Sequence, residues 1–353
     1  MNKEKLYEFC ETVDLFKLRY AGKKQSLLAL LNVFSSKPII ARKYYQREAA
    51  KRMVSLVKEK SIDLVHFDML HLSEYLLHFQ ALPCILVNHN VESLRLLRWA
   101  KITSNLLLKA FLGYQYLKLK KYEKKKCPQF SSCTVVSGED KQILMNLCGK
   151  DNFHVIPNGV DTAYFKAASD SEKKRNQVVW VGAMTNPYNR DAVDFFLHEI
   201  WPLVHLGNRE ARAFFVGKID NETRKSWQKK VGVEFVGYVD DVRPYVARAT
   251  IFIAPLRSGS GTKIKVLNAM AQGKAVVTTS IGAEGILAEN GKGLLIENEP
   301  EQFARAILSL LADDNFIEKL GSNAVALVKK NYSWDVINSN LLSYYRNFDG
   351  KAL

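Results

Sequence analysis

Arg257-Ser258-Gly259-Ser260-Gly261-Thr262-Lys263-Ile264-Lys265 is the stretch of this chain whose residue types most plainly suit chemistry. Its two glycines let bare backbone come close to a ligand. Thr262 is a good N-cap for a helix over residues 263–271, which would pack through Ile264, Leu267 and Ala271. A helix that starts directly after a strand and a glycine loop points unpaired N–H groups and the positive end of its dipole outward. That arrangement holds phosphate, and Lys263 and Lys265 add positive charge beside it. The loop has neither the GxxxxGK[ST] of a P-loop ATPase nor the GxGxxG of a standard dinucleotide site. Glycine is also cheap in any βα connection, so the glycines alone leave an ordinary loop equally open.

The elements that must position this loop are legible around it. Residues 251–256 are a short apolar run, as expected of a buried parallel strand. Gly273 stops the helix, and residues 275–279 are β-rich again. Further strands are expected at 178–182, 214–217 and 233–237, with helices between them, which predicts a doubly wound α/β domain. Upstream, strands are expected at 12–18, 62–66, 83–87, 133–137 and 154–156. Helices are expected at 26–34, at 41–59 with Ala49, Met53 and Val57 inward, and at 102–126 with Leu106, Leu107, Phe111 and Tyr114 on one side. At 353 residues two domains are natural. The polar run 169–176 suggests a division into residues 1–165, 166–330 and a closing helix over 331–353.

The formal charge of +15 is uneven. Residues 1–150 hold 26 Lys/Arg against 13 Asp/Glu, whereas residues 151–353 hold 25 against 23. A basic half suits nucleic acid or an anionic membrane surface. No RRM, KH, zinc-finger or helix-turn-helix signature accompanies it, so no nucleic-acid partner is expected. The run Lys118, Lys120, Lys121, Lys124, Lys125 and Lys126 reads as an anionic-membrane contact, with a solvated helix face as the competing reading. No apolar run reaches 18 residues, and the first residues lack a signal-peptide core. The five cysteines have no metal-ligand spacing and suit reduced thiols in a cytosolic protein.

Several stretches together resemble glycosyltransferase family 4, retaining enzymes of the GT-B arrangement in which two Rossmann-like domains face a cleft. GSGTKIKVLNAMAQGKAVVTTSIGAEGI, residues 259–286, is similar to the family's GSGTRLKILEAMA donor-site segment and the strand and loop that follow it. HVIPNGVDTAYF at 154–165, NHNVES at 88–93 and the segment from Gly182 to Pro202 are similar to other family stretches. YVDDVRPYVARA at 238–249 and the terminal helix sequence at 331–348 extend the likeness over about residues 60–348.

The resemblance implies a UDP- or GDP-sugar donor and a glycan or lipid-linked acceptor in cell-surface polysaccharide synthesis. It implies retention by front-side attack, in which the leaving phosphate helps deprotonate the acceptor, with no metal and no other cofactor. It places the donor diphosphate and sugar at Arg257, Ser258, Gly259, Ser260, Gly261, Thr262, Lys263, Ile264 and Asn268. It places the nucleotide at Gly182, Lys218, Tyr238 and Val239, and brings His89 to the cleft as the candidate catalytic residue. In the family two glutamates eight positions apart contact the donor sugar and the ribose. Those places hold Ser260 and Asn268 here. An amide can still hydrogen-bond a hydroxyl, but without the charge that strengthens such bonds.

Two other functions stay open: a GT-B protein that binds nucleotide or a partner without transferring sugar, and, last, a nucleotide-sugar epimerase. In relatives a strand–loop–helix unit precedes the segment that residues 6–16 resemble, so the first domain is expected to lack its opening strand and glycine-rich loop. The expected location is the cytoplasm, peripheral on the inner face of the plasma membrane.

Overall fold

The structure, a computed structural model, describes residues 3–18, 32–167 and 174–347. Two sheets organise it, and every strand pair in both is parallel. The first sheet holds β1 (Val65–Phe67), β2 (Cys84–Asn88), β3 (Ser132–Val135) and β4 (Phe153–Val155), in the order β1-β2-β3-β4. The second holds β5 (Gln177–Val181), β6 (Arg212–Val216), β7 (Val233–Gly237), β8 (Ile251–Ala254), β9 (Ala275–Thr278) and β10 (Leu295–Ile296). Its order is β10-β9-β8-β5-β6-β7. β3, β8 and β9 are buried at every residue, as parallel strands covered on both faces must be. Phe67, Leu86, Phe130, Leu144 and Phe153 centre the first core; Trp180, Phe215, Phe252, Met270 and Leu320 centre the second.

The second sheet reverses its winding between β5 and β8. At such a reversal the loops at the carboxyl ends of the two strands diverge and leave a crevice. Gly182 follows β5 and the 255–263 loop follows β8, so the fold itself brings these two stretches together. Among the described strands of the first sheet the order does not reverse, so the doubly wound reading holds for the second sheet.

Several local expectations are corrected. Residues 12–18 form no strand. Glu11 and Asp14 instead tie this segment to Lys60 and Arg52 of the Arg47–Lys60 helix by ion pairs. The expected 41–59 helix is two, Ile39–Tyr44 and Arg47–Lys60. The Tyr75 hydroxyl sits in the break, accepting from Gln46 N at 2.8 Å and donating to Tyr44 O at 2.9 Å. It supplies partners for backbone groups that the break frees.

The expected 102–126 helix runs Leu106–Lys126, after a separate Glu92–Ile102 helix, and Asn105 caps its start by accepting from Leu108 N at 2.9 Å. Its packed side is Leu112, Leu119 and Tyr122; Leu106 and Leu107 are 78% and 85% exposed. Two of its lysines turn inward: Lys118 Nζ donates to Asn32 O at 2.6 Å, and Lys126 lies 3.2 Å from Glu74. The expected helix at 26–34 and the polar run at 169–176 lie mostly outside the described residues.

The Trp334–Asn347 helix returns to the first domain. Tyr345 Oη lies 2.9 Å from His66 Nδ1, and the Tyr344 ring packs 5.1 Å from that of His154. Among the described residues no helix is long and apolar enough to cross a membrane.

Candidate functional site

The glycine loop does two jobs. One is to seal the two domains together. Gly261 has φ 71°, and a Cβ there would stand 2.3 Å from the His89 carbonyl oxygen, so both conformation and contact demand glycine. Val91 N donates to Ser260 Oγ at 3.1 Å, Arg98 to the Gly259 carbonyl at 2.7 Å, and Thr262 Oγ1 to the Val136 carbonyl at 3.3 Å. Ser258, Gly259, Ser260, Gly261 and Thr262 are all buried. Thr262 is therefore engaged across the seam, and Lys263 occupies the N-cap place of the Ile264–Ala271 helix without a side-chain cap. Ile264 is 47% exposed, so the helix packs through Val266, Leu267 and Met270.

The other job is to begin that helix so that Lys265, in its first turn, lies beside Gly182. Lys265 Nζ donates to Asn189 Oδ1 at 2.8 Å and lies 3.9 Å from the centre of the Trp180 ring. A Cβ on Gly182 would stand 2.7 Å from that ammonium, so glycine is what admits it. Burial pushes Lys265 down to about 7, and the neighbouring Lys263 charge pushes the same way. Lys263 Nζ donates to the Gly261 carbonyl at 2.6 Å and lies 3.7 Å from Glu284. Burial takes it down to about 8 despite that carboxylate. Asn268 sits one turn beyond Lys265 on the same helix face, half-buried.

The other expected residues are distributed along the same sheet edge. Arg257 is held by Asp191 at 2.6 Å and lies over the Phe195 ring at 4.4 Å, so its charge already has a partner. Lys218 is exposed after β6, and its carbonyl accepts from Met184 N at 2.7 Å. Tyr238, 74% exposed, and half-buried Val239 follow β7. His89 is at the cleft from the first-domain side, with Nε2 2.9 Å from Asp68 Oδ1.

Three residues of this region escaped the sequence reading. Arg98 grips Glu284 through two hydrogen bonds of 2.8 and 2.5 Å, closing the cleft from the first domain. Asp140 lies near the same cluster; burial, with the Glu284 charge, raises it to about 6. The only signal for Glu284 was its place in the GAEGI segment, and nothing there pointed to Arg98.

The family described as Glycosyltransferase Family 4 matches residues 12–164, and that described as Glycosyl transferases group 1 matches residues 175–313. The chain belongs to this glycosyltransferase family. It is 28% identical over 207 residues to a phosphatidyl-myo-inositol mannosyltransferase of Mycolicibacterium smegmatis, covering 56% of this chain and 53% of that protein. It is 25% identical over 172 residues to an uncharacterized 44.6 kDa protein in the cps region of Klebsiella pneumoniae, covering 46% and 44%. The chain thus spans about half the length of these two relatives. Sucrose-phosphate synthase from Thermosynechococcus elongatus has a similar structure, with a TM-score of 0.68 and 17% identity over 88% of this chain and 81% of that one. The fold is the GT-B arrangement of two Rossmann-like α/β domains.

Proposed function

We propose that this protein transfers a sugar, with retention, from a UDP- or GDP-sugar to a glycan or lipid-linked acceptor in cell-surface polysaccharide synthesis. The observation that carries the reading is Lys265. Its ammonium, on a half-buried side chain, has an amide oxygen and an aromatic face for neighbours, and the Lys263 charge acts on it with the same sign. A diphosphate placed at the start of the Ile264–Ala271 helix supplies the missing charge and meets the free helix amides. Lys263 reaches the same anion, while Gly182, Lys218, Tyr238 and Val239 line the way to the nucleoside. The leaving diphosphate is stabilised by these groups without a metal, and its oxygen takes the acceptor proton. Asn268 hydrogen-bonds a hydroxyl of the donor, and His89, braced by Asp68, orients the acceptor. The reaction takes place in the cytoplasm, at the inner face of the membrane, where exposed Lys121 and Lys125 meet anionic lipid.

A second reading, nucleotide binding without transfer, has one observation behind it. Ser260 stands where the family resemblance implies a glutamate, and its hydroxyl is taken up by Val91. One experiment separates the two. The chain is incubated with UDP- and GDP-sugars, with and without a glycan acceptor, and nucleoside diphosphate release and product anomer are followed by NMR. Release from one nucleotide class with the donor's anomeric configuration kept supports transfer. Calorimetric binding of UDP or GDP with no release from any donor supports the second reading.

A further inference from the structure

Away from the glycine loop, a cavity of about 460 Å³ opens between the Glu92–Ile102, Leu106–Lys126 and Gly138–Cys148 helices of the first domain. Leu94, Leu97, Ile143 and Leu147 line it with hydrocarbon. Lys120 and Lys124, one helical turn apart on the same helix, line it as well and are exposed. Neither ammonium pairs with a carboxylate among the described residues, and Lys120 lies 5.8 Å from the Tyr116 ring, which also lines the cavity. Val91, which also lines the cavity, is the residue whose amide bonds Ser260 of the glycine loop.

We propose that this cavity binds an amphiphilic anion, with its apolar chain among Leu94, Leu97, Ile143 and Leu147 and a phosphate headgroup on Lys120 and Lys124. A purely apolar ligand would leave the two ammoniums unused. A purely ionic one would leave the exposed Ile143 and the partly exposed leucines in contact with water, which burial of a chain removes. A molecule carrying both parts satisfies both. The proposal goes beyond sugar transfer, since the binding stands whether or not the cleft turns over a donor.

The test is calorimetric titration of the full chain with octyl phosphate below its micelle concentration, with 1-octanol and inorganic phosphate as comparisons. The same preparation is titrated with UDP, so that failure here is distinguishable from failure at the glycine loop. The expected result is one octyl phosphate per chain, bound at least tenfold tighter than either comparison. Lys120→Gln combined with Lys124→Gln should abolish that preference and leave 1-octanol binding unchanged. Equal binding of inorganic phosphate would reduce the site to a basic surface, and equal binding of 1-octanol to an apolar groove. An unaffected double variant would place the ligand elsewhere. Binding to phosphatidic acid vesicles without binding of octyl phosphate would assign the lysines to a membrane surface. Each of these four results overturns the proposal.

Discussion

On the first-domain wall of the cleft, Arg95 is paired with Glu92 at 2.6 Å and Arg98 with Glu284 at 2.5 Å. On the second-domain wall, Lys265 has an amide and an aromatic ring, and Lys263 a carbonyl with a carboxylate further off at 3.7 Å. The guanidiniums are matched charge for charge, as fork-shaped donors on carboxylates usually are. The lysines are desolvated and undermatched, and lysine, unlike arginine, answers burial by losing its proton more easily. The first wall reads as a clasp that sets the distance between domains. The second is left undermatched, and under the proposed function its last counter-charge arrives with the substrate.

Substitutions can break this contrast. Lys265→Met should have the largest effect, weakening UDP or GDP binding by about 2–3 kcal/mol, the scale of a lost charged hydrogen bond. The same change should raise thermal stability of the unliganded chain at pH 7. A lysine whose folded value falls to about 7 costs stability in full below that pH, and the cost fades as pH rises toward the unfolded 10.5. Loss of both binding and stability would mean that Lys265 is a packing residue. Lys263→Ala should weaken binding less, by about 1–2 kcal/mol, because the Gly261 carbonyl and Glu284 already share its charge. Unchanged affinity in calorimetry removes Lys263 from the site.

Arg98→Lys gives the smallest change in nucleotide affinity, within about threefold, because the contrast assigns Arg98 to the clasp. It loses the two-point grip on Glu284, so small-angle scattering should report a looser arrangement of the domains. A tenfold loss of UDP affinity in this variant would move Arg98 into the donor site.

Much of the second domain was legible in the sequence because β5 to β9 are short apolar runs, several of them ending in glycine. The glycine loop was legible for the same reason. What it does to the first domain was not, because the partners of Ser260 and Gly259, Val91 and Arg98, lie 169 and 161 residues away. The meeting of Lys265 with Asn189 depends on the reversal between β5 and β8, which residue spacing does not encode. Helix breaks were missed where the repair comes from elsewhere, as the Tyr75 hydroxyl does for Tyr44 and Gln46. The Leu106–Lys126 helix carries apolar residues around much of its circumference, so the choice of inner face fell on Leu106 and Leu107 when Leu112, Leu119 and Tyr122 hold the core.

The central claim is that two half-buried lysines acquire their counter-charge from a diphosphate. Burial holds Lys265 at about 7 and Lys263 at about 8 in the free chain, and an anion beside them favours the charged forms. Binding must then take up protons at pH 8.5, where the diphosphate of UDP is already fully ionised. Affinity must fall as pH rises from 7.5 to 8.5, by about tenfold per pH unit for each proton taken up. Calorimetric titration of UDP and GDP at pH 8.5, in two buffers of different ionisation enthalpy, measures that uptake directly. The account predicts binding of one nucleotide with net uptake approaching one proton or more, and loss of most of that uptake in Lys265→Met. Binding with no proton uptake, or an uptake unchanged in Lys265→Met, would contradict it.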